Sequence, residues 1–161
     1  MLDSLPILSI LIWMPIIGGL ILLFLNSISE KYIRVFGHSV SVATLLLSII
    51  ILNEFDTDKY YLQFTEKFLW ISNFDIFYHL AIDGFSLVFI MLTTITTSLI
   101  LIFSFSENRA QNNKFISLFL ILEGLLIGVF SAFDSILFYI FFESMLIPLF
   151  LIIGIWGGSN R

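Results

Sequence analysis

Cysteine is absent from the 161 residues, proline occurs three times, histidine twice, and only 12% of positions are charged. Without cysteine there is no thiolate metal site, no iron–sulfur ligation and no cysteine nucleophile, so any redox centre must lie outside this chain. Scarce proline and sparse charge exclude collagen-like and disordered chains, and disulfide-stapled folds go with the cysteines. The 7 basic and 12 acidic residues give a net charge of −5 and form no run of one sign, which excludes nucleic acid as a partner. No P-loop, dinucleotide fingerprint, serine–histidine–aspartate arrangement or zinc-ligand spacing occurs. No catalytic centre, cofactor or metal site is therefore expected in this chain. What is abundant is apolar surface. Hydrophobic residues make up 59% of the sequence and mean hydropathy is +1.07, against roughly 45–50% apolar in an average soluble domain. The reading is a polytopic membrane protein.

Crossing roughly 30 Å of hydrocarbon takes about 20 apolar residues in a helix. Five stretches qualify: Pro6 to Leu25, Val35 to Leu52, Phe85 to Phe105, Phe115 to Phe133 and Ile136 to Ile155. None alternates with the period of two that a barrel strand requires, so the expected fold is an all-α membrane protein of five transmembrane helices. No internal repeat or low-complexity tract divides it, and residues 1–161 read as one membrane unit in the lipid bilayer. The start, Met1-Leu2-Asp3-Ser4-Leu5, carries an acid where a targeting leader carries a base, so the first span reads as mature structure. The long segment Asn53 to Gly84 is expected to lie over the outer surface. Within it, Tyr61 to Phe64 and Lys67 to Trp70 flank Thr65-Glu66 as an expected β-hairpin, and Trp70, Phe74, Phe77 and Tyr78 suit an interfacial aromatic belt. Lys59 and Lys67 fall on one side of the membrane; Lys31, Arg34, Arg109, Lys114 and Arg161 fall on the other. The positive-inside rule then places the N-terminus outside.

An ionised carboxylate deep in a bilayer is costly, which makes Glu123 and Glu143 the candidate functional residues. Both fall near the midplane, on two helices joined by the short turn Asp134-Ser135. Each reads either as a proton-relay carboxyl or as a structural polar group hydrogen-bonded to a neighbouring helix. Because both helices are apolar all round, whether the two carboxyls face each other and share a proton stays open. Pro148 cannot donate to the carbonyl of Ser144 and is expected to kink the fifth helix beside Glu143. Gly124 and Gly128 form a small-xxx-small pair, read as a close helix contact. Asp83 and Asp134 are expected to cap helices, Thr93 to Ser98 to satisfy their own backbone, and His38 and His79 lack the acidic neighbours of a metal site.

The run Leu137-Phe138-Tyr139-Ile140-Phe141-Phe142-Glu143-Ser144-Met145-Leu146-Ile147-Pro148, with Ile153 to Gly158 after it, resembles the helix-five signature of the NADH-ubiquinone oxidoreductase chain 4 family. Its members are antiporter-like proton-pumping subunits of respiratory complex I. Ala81-Ile82-Asp83-Gly84-Phe85-Ser86-Leu87 is similar to the family's acid-glycine entry into helix three, and Phe119 to Phe130 to its helix four. The resemblance implies a fold equivalent to the family's N-terminal helices and a place in the proton-translocation path. It also implies other membrane-arm subunits of complex I as partners, with ubiquinone reduction and the redox cofactors in those subunits. It makes Glu143 the glutamate that pairs with a lysine on a later helix, with Glu123 as a further member of the polar axis. The sequence stops after Arg161, before those lysines, so the expectation is a split subunit whose remaining helices come on a separate chain, with a truncated product as the alternative. A phenylalanine count of 19 fits an AT-rich organellar genome and hence the mitochondrial inner membrane, with a bacterial plasma membrane as the alternative. A sodium/proton antiporter subunit and a non-conducting structural subunit are the competing readings.

Overall fold

A computed structural model describes residues 5–24, 29–59, 61–104 and 112–157. Among these residues five helices carry the chain back and forth: α1 (Ile7–Phe24), α2 (Glu30–Glu54), α3 (Gly84–Ser104), α4 (Asn112–Ser131) and α5 (Ser135–Trp156). Each is long and apolar enough to cross a membrane. β-branched and aromatic residues stay helical here because hydrocarbon offers the backbone no partner outside the helix. The chain departs most from the expected boundaries in α2, which begins five residues before Val35, and α4, which begins three before Phe115 and stops two short of Phe133. Hydropathy marks only the stretch inside hydrocarbon. The polar turns Lys31 to Arg34 and Asn112 to Lys114 continue the helix beyond it.

Between α2 and α3 an antiparallel pair, β1 (Gln63–Ile71) and β2 (Ile76–Ile82), lies across the helix ends. The expected turn at Thr65-Glu66 is overturned, because those residues lie inside β1 and Glu66 pairs with Leu80. The reversal falls at Ser72 to Asp75, where Asp75 adopts the left-handed conformation with φ of 51°. Aspartate tolerates that region, whereas β-branched Thr65 does not. Phe64, with φ of 54°, marks an irregularity in the pairing between Gln63 and Glu66. Trp70 and Phe74 are exposed on this hairpin, while Phe77 and Tyr78 are half-buried.

α4 is the centre of the bundle and touches all four other helices, α1 most extensively. Small residues make that approach possible. A Cβ on Gly19 would lie 2.6 Å from the Ser117 carbonyl oxygen, and one on Gly124 would lie 2.5 Å from that of Ile12. The expected Gly124/Gly128 pair does not form one contact. Gly124 faces α1, whereas Gly128 lies under the Phe141 ring of α5. Apolar side chains fill both ends of the bundle, with Leu8, Leu11, Ile51, Leu80, Ile82, Ile90 and Ile127 toward the hairpin and Leu22, Ile33, Leu101, Ile116 and Leu120 at the far end. Lys31, Arg34 and Lys114 lie in the first turns of α2 and α4, at the end away from the hairpin that carries Lys67. Arg109 and Arg161 lie outside the described residues.

Candidate functional site

Glu123 and Glu143 stand at matching depth, each eight residues from the end of its helix at the short α4–α5 turn, a rise of about 12 Å. Their surroundings are opposite. Glu123 is 1% exposed, and its Oε1 lies 3.1 Å from the Thr44 hydroxyl of α2, while Oε2 has no hydrogen-bond partner among the described residues. Glu143 is exposed and forms no hydrogen bond or ion pair among the described residues. It lines an open groove of about 600 Å³ with Ser144, Leu146, Ile147, Phe150 and Leu151. α5 buries Leu137, Phe141 and Pro148, and at about 100° per residue Glu143 projects roughly 200° away from Phe141. The two carboxyls therefore do not converge.

Pro148 is buried and α5 runs unbroken through it. It still leaves the Ser144 carbonyl without a helical amide, and Ser144 lines the groove beside Glu143.

Around Glu123 lies a polar column that the sequence reading missed. Ser41, Thr44 and Ser48 are all fully buried on α2. Ser41 meets Ser98 at 2.9 Å and Ser48 meets Thr94 at 3.0 Å, so hydroxyl pairs tie α2 to α3 above and below Thr44. The signal was present as three hydroxyls at the i, i+3, i+7 spacing of one helix face. In α3, Thr93 and Thr97 do return their hydrogens to their own backbone, at Phe89 and Thr93. Thr94 bonds its own Met91 carbonyl and also meets Ser48, whereas Ser98 turns from its own backbone to the hydroxyl and carbonyl of Ser41 on α2.

A third carboxylate, absent from the sequence-based candidates, ties the hairpin to the bundle. Glu66 is 7% exposed and accepts from the Leu8 amide at 2.7 Å, the Ser9 amide at 3.3 Å and the Ser9 hydroxyl. Those amides belong to the first turn of α1, where the helix has donors without internal partners and favours negative charge. Tyr78 of β2 extends the network to Ser9 at 3.0 Å and to the Trp13 indole at 3.3 Å.

Both expected caps form. Asp134 accepts from the amides of Ile136 (2.9 Å) and Leu137 (3.3 Å), and also from that of Phe77 in β2 (3.4 Å). Partial burial pushes its carboxyl up, but the three amides together hold it below the usual aspartate value. The Ser86 amide, 2.7 Å away, does the same for Asp83. His79 is held below its ordinary value by burial and by Lys67, its cross-strand neighbour. His38 lies more than two turns inside α2, deeper than its place near the start of the expected span.

No protein-family model matches the chain. It is 44% identical over 147 residues to NADH-ubiquinone oxidoreductase chain 4 of Chondrus crispus, covering 91% of this chain and 30% of that one. It is 38% identical over 164 residues to NADH-quinone oxidoreductase subunit M of Rickettsia typhi, covering 98% and 33%. A chain of respiratory complex I from Thermus thermophilus, solved with bound NADH, superimposes with a TM-score of 0.76 at 24% identity over 96% of this chain and 30% of that one. The architecture is thus that of a polytopic membrane subunit found in respiratory complex I. By sequence, the chain belongs to the NADH-ubiquinone oxidoreductase chain 4 and subunit M family and matches its N-terminal part. It spans about a third of the length of these curated relatives.

Proposed function

We propose that this chain acts as the N-terminal part of a membrane-arm subunit of proton-pumping NADH:ubiquinone oxidoreductase, with Glu143 and Glu123 in the proton-translocation path. The observation that carries the reading is Glu143 itself. It is a carboxyl near the midplane of an apolar helix, presented to an open groove on α5, the helix that the bundle covers least. A charge in that position requires an opposite charge, because desolvating an ion without a partner costs several kcal/mol. The described part of this chain supplies none, and the partner we assign is a basic side chain on further helices of the subunit. Other complex I subunits hold the redox cofactors and reduce ubiquinone. The membrane is the mitochondrial inner membrane, with the bacterial plasma membrane as the alternative; the similarity to a Rickettsia subunit keeps both in play.

Affinity purification of the chain from its native membrane tests the assembly. Flavin- and iron–sulfur-containing subunits co-purifying with it, together with a chain that places a lysine against Glu143, support the reading. Recovery with sodium/proton antiporter subunits and no flavin would replace it with the antiporter alternative. Unchanged pumping by an assembled Glu143→Ala complex would favour a structural subunit.

A further inference from the structure

The Thr44 hydroxyl has a single proton to give and three acceptors within reach. The Ser41 carbonyl is 2.8 Å away, the Val40 carbonyl 3.1 Å, and Glu123 Oε1 3.1 Å. A hydroxyl donates once and accepts twice. If Thr44 gives its proton to the nearer carbonyl of Ser41, its contact with Glu123 is a hydrogen bond only when the proton comes from the acid. Oε2 has no donor, and Glu123 makes no ion pair among the described residues. A carboxylate buried to 1% exposure with one neutral hydroxyl for support is costly; a carboxylic acid whose O–H donates to Thr44 leaves only a neutral carbonyl unsatisfied.

We infer that Thr44 is a positioning residue for Glu123, a hydroxyl rotor with two settings. In one, Glu123 Oε1–H donates to Thr44, and Thr44 donates to the Ser41 carbonyl. In the other, with the acid ionised, the Thr44 hydrogen turns to Oε1. The Ser41 carbonyl then keeps its helical amide partner, so the switch strands no backbone group. The flanking hydroxyl pairs Ser41–Ser98 and Ser48–Thr94 hold α2 in register with α3 on either side, which fixes the Thr44 oxygen while its hydrogen turns. The rotor thus provides Glu123 with a matched hydrogen bond in each protonation state. Its value for conduction rests on the proposed proton path; its geometry does not.

The test is infrared spectroscopy of the assembled, membrane-reconstituted complex. The protonated-carboxyl C=O band that vanishes in Glu123→Gln identifies the residue. Thr44→Val preserves shape and removes the hydroxyl, and it should move that band to higher wavenumber because the acid O–H loses its acceptor. Thr44→Ser should restore the wild-type position. An unmoved band in Thr44→Val, or no band lost in Glu123→Gln, overturns the inference. If Thr44→Val fails to assemble, Thr44→Cys replaces the hydroxyl with a weak acceptor; a displaced band supports the rotor and an unmoved one overturns it. Normal pumping by Glu123→Gln would defeat the proposed path through Glu123 yet leave this spectral test standing, so the two failures are distinguishable.

Discussion

Glu66 and His79 show how single residues fix the hairpin to the bundle. Glu66 satisfies two amides and a hydroxyl of the first α1 turn, and hydrogen bonds to a charged group contribute about 1.5–3 kcal/mol each when made. Glu66→Ala should loosen the hairpin, read as faster trypsin cleavage after Lys67 in the purified complex, and Glu66→Gln should do so less because its amide oxygen still accepts. Equal cleavage rates in all three would show that the clamp contributes nothing. His79 stacks edge-on against Phe133 with ring centroids 5.1 Å apart, and its carbonyl accepts from the Phe133 amide. Its folded pKa is below 6.5, so the unfolded chain binds the proton more tightly. The stabilising contribution of neutral His79 is therefore present above pH 6.5 and is lost as pH falls through the folded value. Trypsin sensitivity of the hairpin should rise as pH is lowered below about 6.5, and His79→Phe, which keeps the ring packing without titrating, should flatten that profile.

At the scale of elements, the five helices were legible from hydropathy, and so were the caps at Asp83 and Asp134, because each depends on local chemistry. The neighbours of each helix were not. Sequential adjacency implies that α4 and α5 dominate, yet α1 and α4 form the most extensive contact, through Gly19 and Gly124. A helix that is apolar all round shows no stripe to reveal which side packs against protein and which against lipid. The hairpin turn was misplaced for a related reason, since β1 has no alternation to mark its extent, and Asp75 ends it by conformation rather than hydrophobicity. Thr44 and Glu66 were passed over because their roles depend on partners 79 and 58 residues away in the chain. The α1–α4 contact gives a sharp prediction. Gly124→Val forces side-chain atoms into the Ile12 carbonyl, and overpacking of this kind costs about 1–3 kcal/mol. The yield of assembled complex should fall and its melting temperature should drop. Gly154→Val, where a new Cβ meets nothing within 4 Å, should spare the internal packing of the bundle.

For the whole molecule, burial is uneven. Over half of the most apolar window of α4 is buried in the bundle, at 56%, against 17% for α5. The helix that carries Glu143 is thus at the rim, with its carboxyl turned outward, while Glu123 sits within the packing of α2 and α4. Under the proposed function this asymmetry makes Glu143 the pairing group at a junction with further helices and Glu123 an internal carboxyl supported by Thr44. Glutamine keeps the size and hydrogen-bonding capacity of glutamate but does not titrate, so the pair of substitutions separates proton transfer from shape. The measurement is proton pumping by reconstituted, fully assembled complex carrying Glu143→Gln or Glu123→Gln, with assembly checked on the same preparations. Glu143→Gln should assemble and lose most of its pumping, with a smaller loss for Glu123→Gln. Wild-type pumping by an assembled Glu143→Gln complex, or a larger loss for Glu123→Gln, would contradict this expectation.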